Sequence, residues 1–91
     1  PIMRDFGYPV VFDATHSVQQ PSAMSDHSGG EARFIVPLAR AAVAVGIDGI
    51  FMEIHPDPTN ARCDGDNSLP LSDLEKILAI LKKIEEALWT V

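Results

Sequence analysis

The chain has little cysteine, few cationic side chains and no long apolar run. Cys63 is the single cysteine among 91 residues, so no disulfide can form within the chain and we expect a reducing, cytoplasmic setting. Seven Lys and Arg residues stand against thirteen Asp and Glu, a net charge of −6. Nucleic-acid binding needs a basic surface, so we expect no nucleic-acid partner. No apolar stretch reaches the roughly 18 residues of a membrane helix, so we expect no membrane partner.

Two short apolar runs, each leading to an ionisable side chain, predict a parallel β-α-β unit. The first covers residues 9–13 and is followed by His16, and the second covers residues 47–53 and ends in Glu53. The first run has almost no alternation, as expected for a strand covered on both faces. Residues 31–45 have helical periodicity and predict a right-handed crossover. The predicted apolar face of this helix consists of Phe34, Ile35, Leu38, Ala41, Ala42 and Val45.

A second amphipathic helix is predicted by an apolar stripe of Leu74, Ile77, Leu78, Leu81, Ile84 and Leu88. Ser72 and Glu75 have capping-box spacing, which predicts Ser72 as the N-cap. In the first helix, Pro37 predicts a start close to it or a kinked first turn, and Gly46 predicts a left-handed cap. Two strands with two helices leave sheet edges unpaired, so the sequence predicts part of a larger α/β domain.

Two loops, residues 17–30 and 55–70, follow the predicted strands. Both exceed the roughly 2 to 6 residues usual for such connections. The serines of the first loop and its Gly29-Gly30 pair predict that residues 19–30 form a lid that is mobile without ligand. A static surface loop is the alternative.

His16, Glu53 and Asp64 form the candidate site. His16 and Glu53 end neighbouring parallel strands, which lie about 4.8 Å apart, and Asp64 lies on the loop that crosses the same edge. That carboxyl edge carries the chemistry in barrels and open α/β sheets. An imidazole with two carboxylates can hold a divalent metal or act in acid–base catalysis. Structural roles stay open: a hydrogen-bonded histidine, a turn aspartate, and Cys63 as a small buried residue.

Six blocks of the sequence carry a family resemblance. They are Asp-Ala-Thr-His-Ser-Val-Gln-Gln-Pro at 13–21, Ser-Gly-Gly at 28–30, residues 38–46, Met-Glu-Ile-His-Pro-Asp-Pro at 52–58, Cys-Asp-Gly at 63–65 and Leu-Pro-Leu at 69–71. In this order they resemble the 3-deoxy-D-manno-octulosonate 8-phosphate synthases. The sister 3-deoxy-heptulosonate 7-phosphate synthases and sialic acid synthases share the barrel but fit these blocks less well.

The resemblance implies a (β/α)₈ barrel of about 250 residues. Residues 1–91 would be its carboxyl-terminal βαβα part, strands seven and eight with their helices, incomplete and inactive alone. The family condenses phosphoenolpyruvate with arabinose 5-phosphate and water, releases phosphate, and serves lipopolysaccharide biosynthesis. The resemblance also implies that the intact enzyme is a homotetramer. The rival readings are a non-catalytic half-barrel or interaction module, and a related sugar-acid synthase.

The resemblance also assigns roles to single residues. It places His16 beside phosphoenolpyruvate, and it makes His16, Glu53 and Asp64 ligands in metal-using members. The fourth ligand of those members, and the phosphate-binding residues, lie outside this sequence. The Cys63-Asp64-Gly65 form is closer to metal-free members, so the expectation is no metal or one divalent metal, with metal independence favoured.

Gln19 and Ser28 are assigned to the substrate loop by the same resemblance. Residues 21–24, Pro-Ser-Ala-Met, replace the glycines that the family usually has there. This departure bears on how the loop would close.

Overall fold

The protein is described by a computed structural model that covers residues 1–20, 29–61 and 67–89. The strands are β1 (Val11–Asp13), β2 (Gln19–Gln20), β3 (Gly29–Gly30), β4 (Gly49–Phe51), β5 (Ile54–His55) and β6 (Leu69–Pro70). The α-helices are α1 (Ile35–Val45) and α2 (Leu74–Leu88). Single 3₁₀ turns occupy Met3–Phe6, His16–Val18, Ala32–Phe34, Pro58–Asn60 and Leu71–Asp73.

Strands β1 and β4 pair in parallel, with Phe12 opposite Ile50 and Asp13 opposite Phe51. Helix α1 lies between them in sequence. The ladder continues one step past β1, where the Ala14 N–H donates to the Phe51 carbonyl at 2.9 Å. The predicted parallel β-α-β pairing is therefore confirmed, and both strands end at the same edge of the sheet.

The second predicted strand is divided in the structure. Strand β4 stops at Phe51, and the chain resumes as β5, which pairs in parallel with β6. The Leu69 N–H donates to the Glu53 carbonyl at 2.9 Å. The prediction of a single strand over residues 47–53 was wrong in extent, because the chain changes its pairing partner just before Glu53. The predicted loop over residues 55–70 likewise includes His55 of β5 and all of β6.

The first predicted loop also contains regular structure. Strands β2 and β3 pair antiparallel, with Gln19 opposite Gly30, and the Glu31 N–H donates to the Val18 carbonyl at 3.0 Å. Glutamine and glycine give no alternating apolar pattern, so the sequence offered no strand signal there. Residues 21–28, which include most of the predicted lid and Ser28, lie outside the described residues.

The core lies between the strands and the two helices. Its buried apolar members are Ala14, Val18, Ile35, Ala39, Val43, Leu69, Ile77 and Leu81. Helix α1 therefore buries the stripe Ile35, Ala39 and Val43. The predicted face was right at Ile35 but wrong at Phe34, Leu38 and Val45, which are exposed. Nearly every position of α1 is apolar, so periodicity alone could not select one face. Helix α2 buries Ile77 and Leu81 of its predicted stripe, whereas Leu78 and Leu88 are exposed.

The helix ends match the predictions from the sequence only in part. Gly46 has φ of 104° and its N–H donates to the Ala42 and Val43 carbonyls, which confirms the left-handed cap. Pro37 is the third residue of α1, where a missing N–H breaks no intrahelical bond. The capping-box prediction was wrong: Ser72 lies in the 3₁₀ turn, and Asp73, the N-cap of α2, makes no side-chain capping bond.

The amino ends of β1 and β4 are tied by side chains. Arg4 Nη1 donates to the Gly46 carbonyl at 2.9 Å and to Asp48 Oδ2 at 3.0 Å. Asp48 Oδ2 also accepts the Val10 N–H at 2.8 Å. This amide bond first, and the Arg4 charge after it, hold the pKa of Asp48 below its ordinary value. The edge opposite the candidate site is thus pinned independently of that site.

Much apolar surface stays uncovered. The radius of gyration, 14.5 Å, exceeds the roughly 12 Å of a compact chain of this length. Neither α-helix combines the length and apolar character needed to cross a bilayer, within the part of the chain that the structure describes. Large exposed apolar side chains include Ile2, Met3, Phe6, Tyr8, Val11, Phe51, Leu78, Leu88 and Trp89.

We expect residues 1–91 not to fold stably alone, because β1 and β4 form a two-stranded sheet whose outer edges have no strand neighbours among the described residues. A single two-stranded unit is marginal in water. Circular dichroism of the isolated chain, at a concentration where sedimentation shows a monomer, should give a broad, non-cooperative thermal transition. A sharp cooperative transition of the monomer would contradict this expectation.

Candidate functional site

His16 and Glu53 meet at the carboxyl edge of the β1–β4 pair. His16 opens the 3₁₀ turn that follows β1, and Glu53 lies between β4 and β5. The His16 Nε2 atom is 3.3 Å from Glu53 Oε2. Both side chains are about one-third exposed, 36% and 33%, so the pair is held by the protein and still reachable from solvent. Two of the three predicted site residues therefore lie together.

The other ring nitrogen of His16 faces Asp13, a residue that the sequence interpretation did not select. Nδ1 lies 2.9 Å from Asp13 Oδ2 and 3.1 Å from Oδ1. Asp13 Oδ1 also accepts the His16 backbone N–H at 2.9 Å. An aspartate that accepts an amide a few residues ahead closes a local turn. Asp13 thus shapes the turn and orients the imidazole with the same carboxylate.

This arrangement restricts the protons of His16. If Nδ1–H donates to Asp13, a neutral ring presents only a lone pair at Nε2. That lone pair would face Glu53 Oε2, and two acceptors 3.3 Å apart repel each other unless a proton or another cation lies between them. The Nε2–Oε2 gap is therefore a place where positive charge is stabilised, either on the ring or held between the two atoms.

The electrostatic setting of Asp13 has opposing causes. Its partial burial acts to raise its pKa, but three groups oppose this: the His16 backbone N–H, the His16 ring and the Thr15 hydroxyl. Together they hold the pKa of Asp13 below its ordinary value of 3.8. Asp13 is therefore an ionised acceptor at neutral pH.

Glu53 is positioned through its backbone. Its N–H donates to Thr15 Oγ1 at 3.0 Å, and its carbonyl accepts the Leu69 N–H at 2.9 Å. Phe51 lies beside the pair, with its ring centroid 6.0 Å from that of His16. The imidazole therefore has polar partners at both nitrogens and an aromatic neighbour.

The residues that follow Glu53 shape a turn. The Asp57 N–H donates to His55 Nδ1 at 2.9 Å, and the Thr59 hydroxyl donates to Asp57 Oδ1 at 2.6 Å. The Thr59 and Asn60 side chains are the main causes that hold the pKa of Asp57 below its ordinary value. These contacts give His55 and Asp57 a structural role in this turn.

The remaining predicted residues are divided. Gln19 is the first residue of β2 and directly follows the 3₁₀ turn that begins at His16. Asp64, Cys63 and Ser28 lie outside the described residues. Thr15 and Asn67, which are fully buried polar side chains beside the site, were missed, because no local sequence pattern identifies a buried hydrogen-bond partner.

The donor atoms are compatible with a metal ion as far as they are described. Two ligands about 2.0 Å from a tetrahedral ion lie roughly 3.3 Å apart, which is the His16 Nε2 to Glu53 Oε2 distance. A carboxylate on the other ring nitrogen, as Asp13 supplies, is the usual support of a metal-binding histidine. Within residues 1–20, 29–61 and 67–89, however, no group of three or more such side chains forms a metal site.

Comparisons with known proteins identify a family and several relatives. The model of the DAHP synthetase I family matches residues 1–90. The 2-dehydro-3-deoxyphosphooctonate aldolases of Trichlorobacter lovleyi and Magnetococcus marinus are 58% and 60% identical over 93% and 92% of the chain. The chain spans 31% and 29% of their lengths.

Among solved structures, a phospho-2-dehydro-3-deoxyheptonate aldolase (DAHP synthase) of Thermotoga maritima superimposes with a TM-score of 0.70 at 36% identity. The match covers 88% of this chain and 20% of that one. A truncated form of the 3-deoxy-D-arabino-heptulosonate 7-phosphate synthase of the same organism gives the same score, and 26% of that chain is covered. The likeness supports an α/β barrel portion.

We expect Asp13 to titrate below its ordinary pKa of 3.8 in the folded protein. A carboxyl resonance followed by NMR would give the midpoint. Since the folded pKa is the lower one, the stabilisation is present above the unfolded pKa and is lost as pH falls through the folded value. The half-exposed side chain limits it to under about 1 kcal/mol.

The matched variant for this titration is His16→Gln, which removes the ring partner. It should move the Asp13 midpoint upward, toward 3.8. A wild-type midpoint at or above 3.8 would contradict the assignment of these hydrogen bonds.

Proposed function

Because the chain belongs to the DAHP synthetase I family, we propose that it is part of an enzyme that makes 3-deoxy-D-manno-octulosonate 8-phosphate. The reaction joins phosphoenolpyruvate to arabinose 5-phosphate, consumes water and releases phosphate, in lipopolysaccharide biosynthesis. In this proposal β1 and β4 are the seventh and eighth strands of a (β/α)₈ barrel, the chain alone is inactive, and the intact enzyme is a homotetramer. The names of the curated relatives support the eight-carbon product.

One observation carries the proposal: a histidine with a carboxylate at each ring nitrogen, at the carboxyl edge of two parallel strands. His16 Nδ1 is 2.9 Å from Asp13 Oδ2, and Nε2 is 3.3 Å from Glu53 Oε2. Catalytic groups of barrel enzymes project from that edge. A histidine whose orientation is fixed by one carboxylate can exchange a proton at its other nitrogen.

The proposed roles follow from what each step needs. Carbon 3 of the enol forms a bond with the aldehyde carbon of the sugar, water adds at carbon 2, and phosphate then leaves from carbon 2. The aldehyde oxygen gains a proton and the attacking water loses one. His16 exchanges a proton or holds the phosphoenolpyruvate end, while Glu53 orients the water or a sugar hydroxyl. Asp64 is the proposed second carboxylate.

Two further residues belong to the proposed substrate loop, Gln19 and Ser28. Gln19 begins β2, directly after the 3₁₀ turn that carries His16. A loop anchored there can cover bound substrate and limit access of water to the reacting carbons.

A divalent metal is compatible with this proposal without being required by it. His16, Glu53 and Asp64 would hold the ion, which would act as a Lewis acid toward a bound water or the sugar aldehyde. Asp13 would keep its place on Nδ1 in either case. The Cys63-Asp64-Gly65 sequence favours metal independence.

A second candidate product has seven carbons. It is favoured by the solved DAHP synthase structures that this chain resembles. Phosphoenolpyruvate contributes three carbons, so the two products require sugar phosphates of five and four carbons. The site contacts described above do not distinguish the two reactions, so the choice depends on the aldose.

Substrate choice separates these candidates. The intact enzyme should release phosphate from phosphoenolpyruvate in the presence of arabinose 5-phosphate, and much more slowly with a four-carbon aldose phosphate. The measurement is kcat/KM for each sugar, with the product mass as confirmation. A preference for the four-carbon sugar would reject the eight-carbon assignment, and no turnover with either would favour a non-catalytic module.

Glu53→Gln in the intact enzyme should lower kcat by about 10²- to 10⁴-fold, the range for loss of a positioned acid–base group. The amide keeps the size of the side chain but loses the charge opposite Nε2. Glu85→Gln is the matched control, because Glu85 lies on α2 near Lys82 at 3.9 Å, away from His16. Near-normal turnover of Glu53→Gln, with an unchanged fold, would remove Glu53 from the mechanism.

Removal of divalent metals should leave the activity in place. The intact enzyme, dialysed against a chelator and shown by elemental analysis to be free of metal, is expected to retain its kcat. The same sample with an added divalent ion serves as the comparison. Loss of turnover on dialysis, restored by one ion, would assign the enzyme to the metal-using type.

A further inference from the structure

We propose that Thr15 is a positioning residue whose buried hydroxyl sets the separation of His16 and Glu53. The inference rests on the proposed function, since it concerns the same site. Thr15 is 0% exposed, so it cannot touch substrate. It acts on the reaction only through the residues that it holds.

The Thr15 hydroxyl connects the two halves of the site. Oγ1 accepts the Glu53 N–H at 3.0 Å and donates to Asp13 Oδ1 at 3.3 Å. A hydroxyl has one proton to donate and lone pairs to accept with, so both of its functions are used. The same atom therefore contacts the backbone of the residue at Nε2 and the carboxylate at Nδ1.

This hydroxyl takes the place of a missing rung in the sheet. The parallel ladder ends where the Ala14 N–H donates to the Phe51 carbonyl, because the first strand then bends into the 3₁₀ turn at His16. The Glu53 N–H, two residues beyond Phe51, donates instead to the Thr15 side chain. Without the Thr15 hydroxyl, the partly buried Glu53 N–H would lose its hydrogen bond, which would lower the stability of this arrangement.

Asn67 holds Thr15 from the other side. Its Nδ2 donates to the Thr15 carbonyl at 3.1 Å, and the residue is 0% exposed. Its Oδ1 is buried with no hydrogen-bond partner in the described part of the chain. The buried amide of Asn67 thus supplies a hydrogen bond to the Thr15 backbone. Thr15 thus joins the turn after β1 to Glu53 and to the segment before β6.

The test compares Thr15→Val and Thr15→Ser in the intact enzyme. Valine keeps the shape of the side chain and removes the hydroxyl. The kcat should therefore fall roughly 10- to 100-fold, the loss seen when the hydrogen-bond partner of a metal-binding residue is removed. KM should change little, because Thr15 does not contact substrate. Serine keeps the hydroxyl and should recover most of the wild-type kcat.

Thr59→Val is the control for the chemical change itself. The Thr59 hydroxyl also donates to a carboxylate, that of Asp57, but in the exposed 3₁₀ turn Pro58–Asn60. Its removal should leave kcat unchanged. If Thr15→Val does not fold, Thr15→Ala and Thr15→Ser make a second pair that differs only in the hydroxyl, and serine should be the more active by the same factor.

A second readout does not depend on turnover. A crystal structure of intact Thr15→Val should have the His16 Nε2 to Glu53 Oε2 distance longer than the 3.3 Å of the wild type. If the wild-type enzyme lacks the condensation activity, the proposed function fails and this distance alone decides the inference. An unchanged distance, equal kcat for valine and threonine, or equal kcat for alanine and serine would each overturn the role of Thr15.

Discussion

One imidazole between two carboxylates is the interaction on which the rest of the site depends. Asp13 lies at Nδ1 and Glu53 at Nε2, at 2.9 and 3.3 Å. Two anions beside one ring stabilise positive charge in the gap between Nε2 and Oε2, whether a proton or a metal ion supplies it. A site that holds positive charge there suits the proposed reaction, in which an aldehyde oxygen becomes more negative and a water molecule is activated.

The fold serves this contact by fixing where two strands end. The register of β1 with β4 puts Asp13 opposite Phe51, and the chain then turns at His16 on one side and continues to Glu53 on the other. The opposite edge is pinned by Arg4 and Asp48, so the strands cannot slide without breaking contacts at both ends. Thr15 and Asn67 are buried where the sheet ladder stops. There Thr15 hydrogen-bonds to Glu53, and Asn67 hydrogen-bonds to Thr15.

The sequence revealed those features that depend on local pattern. The apolar runs predicted the parallel pairing, and Gly46 predicted the helix cap. The buried face of α1 was missed because Arg40 is the only charged residue among Ile35–Val45, which leaves its apolar pattern without a clear polar side. The β2–β3 pairing joins Gln and Gly residues that carry no strand signal. Thr15 pairs with Glu53 and Asn67, which lie 38 and 52 positions away, and no local pattern encodes such contacts.

The central claim, that His16 and Glu53 act as one unit, is tested most directly by a double-mutant cycle in the intact enzyme. Turnover, as kcat/KM, would be measured for His16→Gln, Glu53→Gln and the double variant. Residues in contact commonly couple by about 0.5–3 kcal/mol, and groups that act together are strongly non-additive. The account predicts that the double variant loses little more activity than the worse single variant. Losses that simply multiply would contradict it.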